Sequence, residues 1–424
     1  VNESDLPPNL FRAHQVLAAG TAAILPADGL ADKLLLAASQ NRPLRVKLGI
    51  DPSGADLTLG HAVPLRKLRQ FQDFGHTAVL VVGGFTGQVG DPSGKTSTRL
   101  AQSASDVIAH AKGYFDQIMR ILDADRTEVV NNATWLGSMS LAEILGYSRQ
   151  ITVAQLLERD DFAKRFASHS PISLSEFFYP MLQGIDSVEI SADIELGGTD
   201  QTFNNLIGRE LQRGAGQRPQ TVITVPLLVG TDGTEKMGKS LSNYVALTDS
   251  AAQQFGQLMS IPDHAVTTYA ELAAAMPPEQ VTALSIDVAN GGPAANLAKR
   301  AMARQVVSLY HGDRAAAEAE AGFDAVFKQN LIQTDSPKFA LTGALLARDG
   351  VVHLPALLTA AGLANSSSEA RRQQDAGAVR LDGQVLAAKA YDVPAAELIG
   401  KVLAIGKRKA IEITAAPDEH GNSL

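Results

Sequence analysis

Between residues 44 and 245, short β-rich apolar runs alternate with stretches of helical periodicity. LRVKLGI (44–50), TAVLVV (77–82), EVVNN (128–132) and VITVPLLV (222–229) read as buried strands, and Val63, Leu65, Leu68, Phe71 and Phe74 mark one face of a helix between the first two. Strands and helices alternating in this way predict a parallel α/β sheet, the first of three regions, over 1–247. From 248 to 334 the pattern changes to alanine-rich helical segments such as LAKRAMARQVVSLYHG, which predicts an α-helical domain. TDSPKFALTGALLARDG (334–350) has Pro, Gly and weak periodicity, and reads as a linker. Beyond it, over 350–424, a small α+β module is expected. Leu354, Leu357, Leu358 and Ala361 have helical spacing; Ser366 and Glu369 form a capping box for a second helix, and Gly377 is placed to end it. AVRL and QVLA then flank Asp382-Gly383, the signature of a two-residue hairpin turn.

Composition narrows the function classes. A chain of 424 residues, 45% hydrophobic and 19% charged, is long enough for two or three domains with full cores, which removes disordered and fibrous classes. No apolar run approaches the length of a membrane span. The start VNESDLPPNL lacks the basic-then-apolar pattern of a signal peptide, so a cytoplasmic protein is expected, without a membrane role. Zero cysteines exclude disulfides and thiolate zinc sites, and the 9 histidines form no ligand-spaced pair backed by carboxylates, so no protein-held metal is expected. The net charge is −8, yet residues 351–410 hold 8 Lys and Arg against 5 Asp and Glu, an excess of 8 − 5 = +3. A small basic module on an acidic body suits contact with a polyanion, although a solvated face carries such an excess equally well.

Ligands of open parallel sheets bind at the carboxyl ends of the strands, which directs attention to the segments that follow them. GDPSGKT (90–96) follows the second strand and looks like a phosphate loop. A P-loop needs four residues between its first glycine and Gly-Lys-Thr, which puts the β-branched Val89 where that glycine should be, so the loop needs another role. After the first strand come Gly49, Asp51 and Ser53, then Thr58-Leu59-Gly60-His61 opening a helix whose N-terminus can seat a phosphate. Alone, such a triplet is commonplace. Far downstream, Lys236-Met237-Gly238-Lys239-Ser240 sets two lysines around a flexible glycine, able to neutralise charge on a departing phosphate or simply to face water. Tyr179, Gln183 and Asp186 fall at i, i+4 and i+7 on one helical face, either a binding face or the wet side of an amphipathic helix.

Taken together and in this order, the Leu-Gly-His and Lys-Met-Gly-Lys-Ser segments resemble the HIGH and KMSKS motifs of class I aminoacyl-tRNA synthetases. The residues between them resemble the tyrosyl-tRNA synthetase family, and helix, basic helix and hairpin at the C-terminus resemble the S4 RNA-binding domain. The resemblance implies a Rossmann-like parallel-sheet catalytic domain followed by an α-helical anticodon-binding domain and an S4-like domain. It also implies ATP-dependent activation of L-tyrosine, transfer to tRNA(Tyr), Mg²⁺ arriving with ATP, and a homodimer. By the family's pattern, Gly49, Asp91, Tyr179, Gln183, Asp186 and Gln201 would meet tyrosine, with Asp91 on the ammonium group and Asp186 on the phenolic O–H. Asp51, Ser53, Gly60, His61, Gly198, Asp200 and Lys239 would meet ATP. Thr58, Gly60, His61, Lys95, Arg99, Lys236, Lys239 and Ser240 would serve the adenylation step, and Arg371, Arg372 and Arg380 would meet RNA. Ser53 for threonine and Gly238 for serine are mild departures from the pattern, and two others matter more. Thr58 stands in place of the first motif histidine, where it is expected to offer a hydroxyl to phosphate; Lys47 stands where one branch has a tyrosine. The lost histidine leaves a second reading, a catalytically weakened paralogue acting mainly as an RNA-binding protein.

Overall fold

Six strands form the sheet of the first unit: β1 (Ala23–Leu25), β2 (Arg45–Ile50), β3 (Thr77–Val82), β4 (Thr127–Asn131), β5 (Ile194–Gly198) and β6 (Thr221–Val225). They lie in the order β1-β6-β5-β2-β3-β4, all parallel except the edge strand β1. The computed structural model describes residues 5–52, 56–93, 113–328, 337–342, 345, 350–406 and 409–415. The chain divides into two compact units, Val1–Ala317 and Glu318–Leu424. β3 has the span its apolar run predicts. β6 stops at Val225, four residues early, because Pro226 has no N–H to continue the ladder.

The core follows from period-2 and period-3.6 patterning. Val46, Leu48, Val79, Leu80, Ile194, Leu196, Val222 and Ile223 are buried in the sheet, and Leu65, Leu68 and Phe71 of the helix Leu59–Asp73 are fully buried. The helices Leu174–Glu189 and Thr202–Gly214 approach closely at Gly184, where a Cβ would lie 2.9 Å from Leu211 Cδ1 and 3.2 Å from the Gly208 nitrogen. The chain moves outward through β2, β3 and β4, then returns to the other side of β2 for β5 and β6. The resulting crevice lies between the carboxyl ends of β2 and β5. Helices Ala251–Met259, Asp263–Leu272, Pro278–Asn290, Gly292–His311 and Asp313–Lys328 follow, the last running across the boundary between units. No described helix is long and apolar enough to cross a membrane.

The second unit contains a five-stranded sheet in the order β10-β9-β12-β13-β7. Its strands are β7 (Lys338–Leu341), β9 (Val379–Leu381), β10 (Gln384–Val385), β12 (Val402–Ile405) and β13 (Lys409–Ala415); β8 (Val351–His353) pairs with β11 (Asp392–Pro394). The linker expectation fails at 338–341. Those residues form β7, paired in parallel with β13, and its inward Leu341 joins the core of Leu354, Leu357, Leu358, Val379, Leu403 and Ile413. The predicted turn is present, with Asp382 and Gly383 both in the left-handed region at φ 46° and 83°. Ser366 caps its helix by accepting from Glu369 N–H (3.2 Å), but the Glu369 carboxylate accepts from Asn365 N–H instead of closing the box on Ser366.

Candidate active site

Glycines at the end of β3 bring three loops close to the crevice. A Cβ on Gly83 would lie 1.8 Å from Asp51 Oδ1, and one on Gly84 would lie 2.1 Å from Asn131 Oδ1, so side chains from the ends of β2 and β4 occupy the space a larger residue would need. Across this junction runs one hydrogen-bond chain. Tyr179 O–H donates to Asp51 Oδ2 (2.8 Å), and Thr86 Oγ1 donates to Asp51 Oδ1 (2.7 Å). The Asn132 amide donates to Thr86 Oγ1 (2.9 Å) and Asp186 Oδ2 (3.2 Å), and Trp135 Nε1 donates to Asp186 Oδ1 (2.9 Å). Asp51, expected on the nucleotide side, is thus joined to Tyr179, expected on the amino-acid side. Burial, then Asp51 and Asp91, push the Tyr179 phenol upward, so it remains a donor.

The Tyr179–Asp186 face is not the wet side of a helix. Tyr179 is 6% exposed and Asp186 is 3%. Burial raises the Asp186 carboxyl to about 7, against the opposing pull of the Lys47 charge and of the Trp135 and Asn132 hydrogen bonds. Lys47 is fully buried, and its ammonium donates to Gln183 O (2.7 Å) and Ser187 Oγ (2.7 Å) and pairs with Glu195 (2.9 Å). Those three partners match its three N–H bonds. Gln183 Nε2 donates to the same Glu195, which ties the middle of the Tyr179–Asp186 face to β5. Asp91 lies just past Gly90, whose φ of 84° sets the turn; its carboxylate accepts from Ser93 N–H (2.9 Å) and from Gln201 Nε2 (2.7 Å). Gly49 opens onto free space, where a Cβ would meet nothing within 4 Å.

On the other side of the crevice the two signature segments are joined by backbone. Leu59 N–H donates to Val245 O (3.0 Å) and Leu247 N–H to Leu57 O (2.8 Å), so the extended segment leaving the lysine loop pairs with the segment that starts the helix Leu59–Asp73. Gly60 leaves room for Met237, whose Cβ and Sδ would lie 3.7 and 3.8 Å from a Cβ there. Lys236 pairs with Asp200, and Lys239 Nζ lies 5.6 Å from the centre of the Tyr114 ring. Gly198 packs against Asp200 and Leu227, with no space for a side chain. Ser240 is exposed in the short turn Lys239–Leu241. Asn243, absent from the sequence expectations, holds the loop: its Oδ1 accepts from Gly238 N–H (2.9 Å) and its Nδ2 donates to Lys236 O (3.3 Å).

Thr58, expected to offer its hydroxyl to phosphate, is 1% exposed, and that hydroxyl lies 2.8 Å from His61 Nδ1. Its N–H also donates to that nitrogen (3.2 Å). His61 reaches solvent, yet the protein packed around it disfavours the charged ring, and with the charges of Lys239 and Lys236 this lowers it to about 4. Ser53, Lys95 and Arg99 lie outside the described residues. In the second unit, Arg371 and Arg372 stand exposed on the helix Ser367–Asp375 and Arg380 is half-buried on β9, with the Arg371 guanidinium 5.5 Å from the Tyr391 ring centre.

Residues 39–328 match the family model described as tRNA synthetases class I (W and Y). The chain belongs to this family of class I tRNA synthetases. The tyrosine–tRNA ligase of Moorella thermoacetica is 44% identical over 404 residues, covering 95% of this chain and 96% of the relative; that of Geobacter sulfurreducens is 43% identical over 397 residues, covering 94% and 97%. The fold also resembles two solved structures. One is a C-terminally truncated mitochondrial tyrosyl-tRNA synthetase of Aspergillus nidulans (TM-score 0.62, 20% identity, 77% of this chain and 96% of that one). The other is a tyrosyl-tRNA synthetase of Archaeoglobus fulgidus complexed with L-tyrosine (TM-score 0.59, 18% identity, 73% and 99%). In this class I synthetase the motif reading missed Asn132 and Trp135. Both follow β4, so the rule that directs attention to strand ends would have found them.

Proposed function

We propose that this chain is a tyrosine–tRNA ligase that activates L-tyrosine with ATP and transfers the tyrosyl group to the 3′ end of tRNA(Tyr). The observation that carries the reading is the buried Asp186 carboxylate, held by Trp135 and Asn132 at the end of a hydrogen-bond chain that reaches Tyr179. A phenolic O–H is a natural third donor for that carboxylate. The family and its full-length tyrosine-ligase relatives support the same conclusion. Tyrosine would lie with its ring toward Asp186, its ammonium group toward Asp91, Tyr179 and Gln183, and its carboxylate toward Gln201. Its carboxylate attacks the α-phosphate of ATP, forming tyrosyl-adenylate and releasing pyrophosphate; a hydroxyl of the terminal tRNA ribose then attacks the tyrosyl carbonyl, forming the ester and releasing AMP.

No covalent enzyme intermediate is needed, and the work is positioning and charge stabilisation. His61, Gly60, Gly198 and Asp200 would seat ATP. Lys236 and Lys239, with Lys95 and Arg99, would neutralise the departing pyrophosphate, and Mg²⁺ would arrive bound to ATP. Lys236 must leave Asp200 before that carboxylate can meet a ribose. Arg371, Arg372 and Arg380 would bind tRNA phosphates. The proposal includes a cytoplasmic homodimer, supported by Leu141, Val153, Phe166 and Leu174, which the helices between β4 and Glu189 leave 63–72% exposed. Sedimentation of the native chain and of Phe166→Asp tests the dimer. The activity itself is tested by pyrophosphate exchange into ATP. Exchange that depends on tyrosine supports the reading; exchange with tryptophan alone, or with no amino acid, overturns it.

A further inference from the structure

We propose that Thr58 is a positioning residue for His61: it selects the tautomer of the imidazole that carries its proton on Nε2 and thereby presents a single fixed N–H donor to ATP. The inference rests on the ligase reading and assigns Thr58 a role other than direct contact with phosphate.

The geometry is specific. Two groups of Thr58 converge on one atom, the hydroxyl at 2.8 Å and the backbone N–H at 3.2 Å from His61 Nδ1. A backbone N–H can only donate, so Nδ1 must offer its lone pair, and in a neutral imidazole the proton then sits on Nε2. Desolvation, then the charges of Lys239 and Lys236, disfavour the protonated ring, which suits a neutral imidazole at pH 7. Thr58 is almost entirely buried, whereas His61 reaches solvent, so Nδ1 is on the held side of the ring and Nε2 on the open side. Thr58 is itself anchored. It precedes the helix Leu59–Asp73, sits in an isolated antiparallel bridge with Ala246, and is flanked by the backbone bonds Leu59 to Val245 and Leu247 to Leu57. The segment that leaves the lysine loop therefore fixes the residue that orients the histidine, and both parts of the nucleotide site share one reference point. A histidine at position 58 would bring a second imidazole to this junction; threonine supplies a short hydroxyl that fits against the ring of the first.

The test uses the full-length protein with ¹⁵N-labelled histidine. Nitrogen shifts report the tautomer, and the His61 signal is identified by its loss in His61→Gln. Wild type should show Nε2 protonated; an Nδ1-protonated ring overturns the proposal without any Thr58 variant. Thr58→Val keeps the branched shape and removes the hydroxyl. The backbone N–H remains on Nδ1, so the variant should lower the Nε2-protonated population only in part, but it loosens the ring and should slow single-turnover adenylate formation by at least about tenfold, a fraction of what removing a well-placed donor costs. Tyrosine affinity measured without ATP should stay within about twofold, since the hydroxyl touches only the nucleotide side. Thr58→Ser, which restores the hydroxyl, should recover both tautomer and rate. A valine variant with wild-type rate and tautomer, or a serine variant as slow as valine, overturns the proposal. Failure of the ligase reading would look different, as a wild-type protein that forms no tyrosyl-adenylate while its His61 tautomer remains measurable.

Discussion

Asp186→Asn removes one charge and leaves the shape of the side chain nearly unchanged. In the native site both carboxylate oxygens already accept an N–H, from Trp135 and from Asn132, and the group is 3% exposed. An asparagine can accept through one oxygen only, so its NH₂ must face one of those donors, and the phenol of tyrosine loses a charged acceptor. A hydrogen bond to a charged group contributes about 1.5–3 kcal/mol, so kcat/KM for tyrosine should fall roughly 10- to 150-fold. Phenylalanine brings no hydroxyl, and its much lower kcat/KM should change by less than about threefold. The pH dependence gives a second check. With the carboxyl raised to about 7, it is protonated below that pH and is a poorer acceptor, so wild-type tyrosine affinity should strengthen as pH rises through 7 and then level off. The Asn variant should be flat. Stability has the opposite sign: a folded pKa above the unfolded value favours the protonated fold, so the contribution is fully present below pH 4 and is lost as pH rises to about 7. Pyrophosphate exchange with each amino acid from pH 5.5 to 8.5 measures the first two effects. Equal losses for tyrosine and phenylalanine, or a wild-type tyrosine KM that ignores pH, would refute the assignment of Asp186 to the phenol.

Ending the chain at residue 328 should leave adenylate formation within about twofold, raise the KM for tRNA, and flatten its dependence on log salt by roughly 2–3 if Arg371, Arg372 and Arg380 each meet a phosphate. An unchanged tRNA KM in the folded truncated protein would show that the second unit is not an RNA anchor. Ser242 holds φ 53° beside Asn243, so Ser242→Gly should raise stability by roughly 0.5–1 kcal/mol in urea denaturation; no gain would mean that the serine conformation is not strained. Lys67 is buried, donates to Leu17 O and Ala19 O, and is lowered to about 8 by desolvation. The unfolded chain holds that proton up to about 10.5. Wild-type stability should therefore rise relative to Lys67→Met between pH 8 and 10.5, read from urea midpoints.

The parts of the fold legible in the sequence were those whose burial is apolar. TAVLVV is β3 because every inward residue is hydrophobic. β5 was harder to read, since IELGG carries Glu195 in the core, where the buried Lys47 charge compensates it; a charge pair closed inside the sheet looks like two surface residues when each is read alone. β7 was taken as a linker because its partner, β13, lies some seventy residues downstream, and no local pattern announces a parallel pairing. In the site, Tyr179, Gln183 and Asp186 were visible through helical spacing, but the direction of the Thr58 hydroxyl was not. Its signal is the Thr-x-x-His spacing at a helix start, in which a histidine takes the place of the glutamate of a capping box.

The chain of contacts from Tyr179 through Asp51, Thr86 and Asn132 to Asp186 bears on how this pocket could be re-engineered. Each interior member serves two neighbours, so any single replacement leaves a buried donor or acceptor without its counterpart at two places. A change at Asp186 alone would therefore be felt along the chain toward Tyr179. Libraries that vary Asp186, Asn132, Thr86 and Asp51 together should outperform site-by-site saturation, and productive variants should arise in coupled sets whose effects do not add.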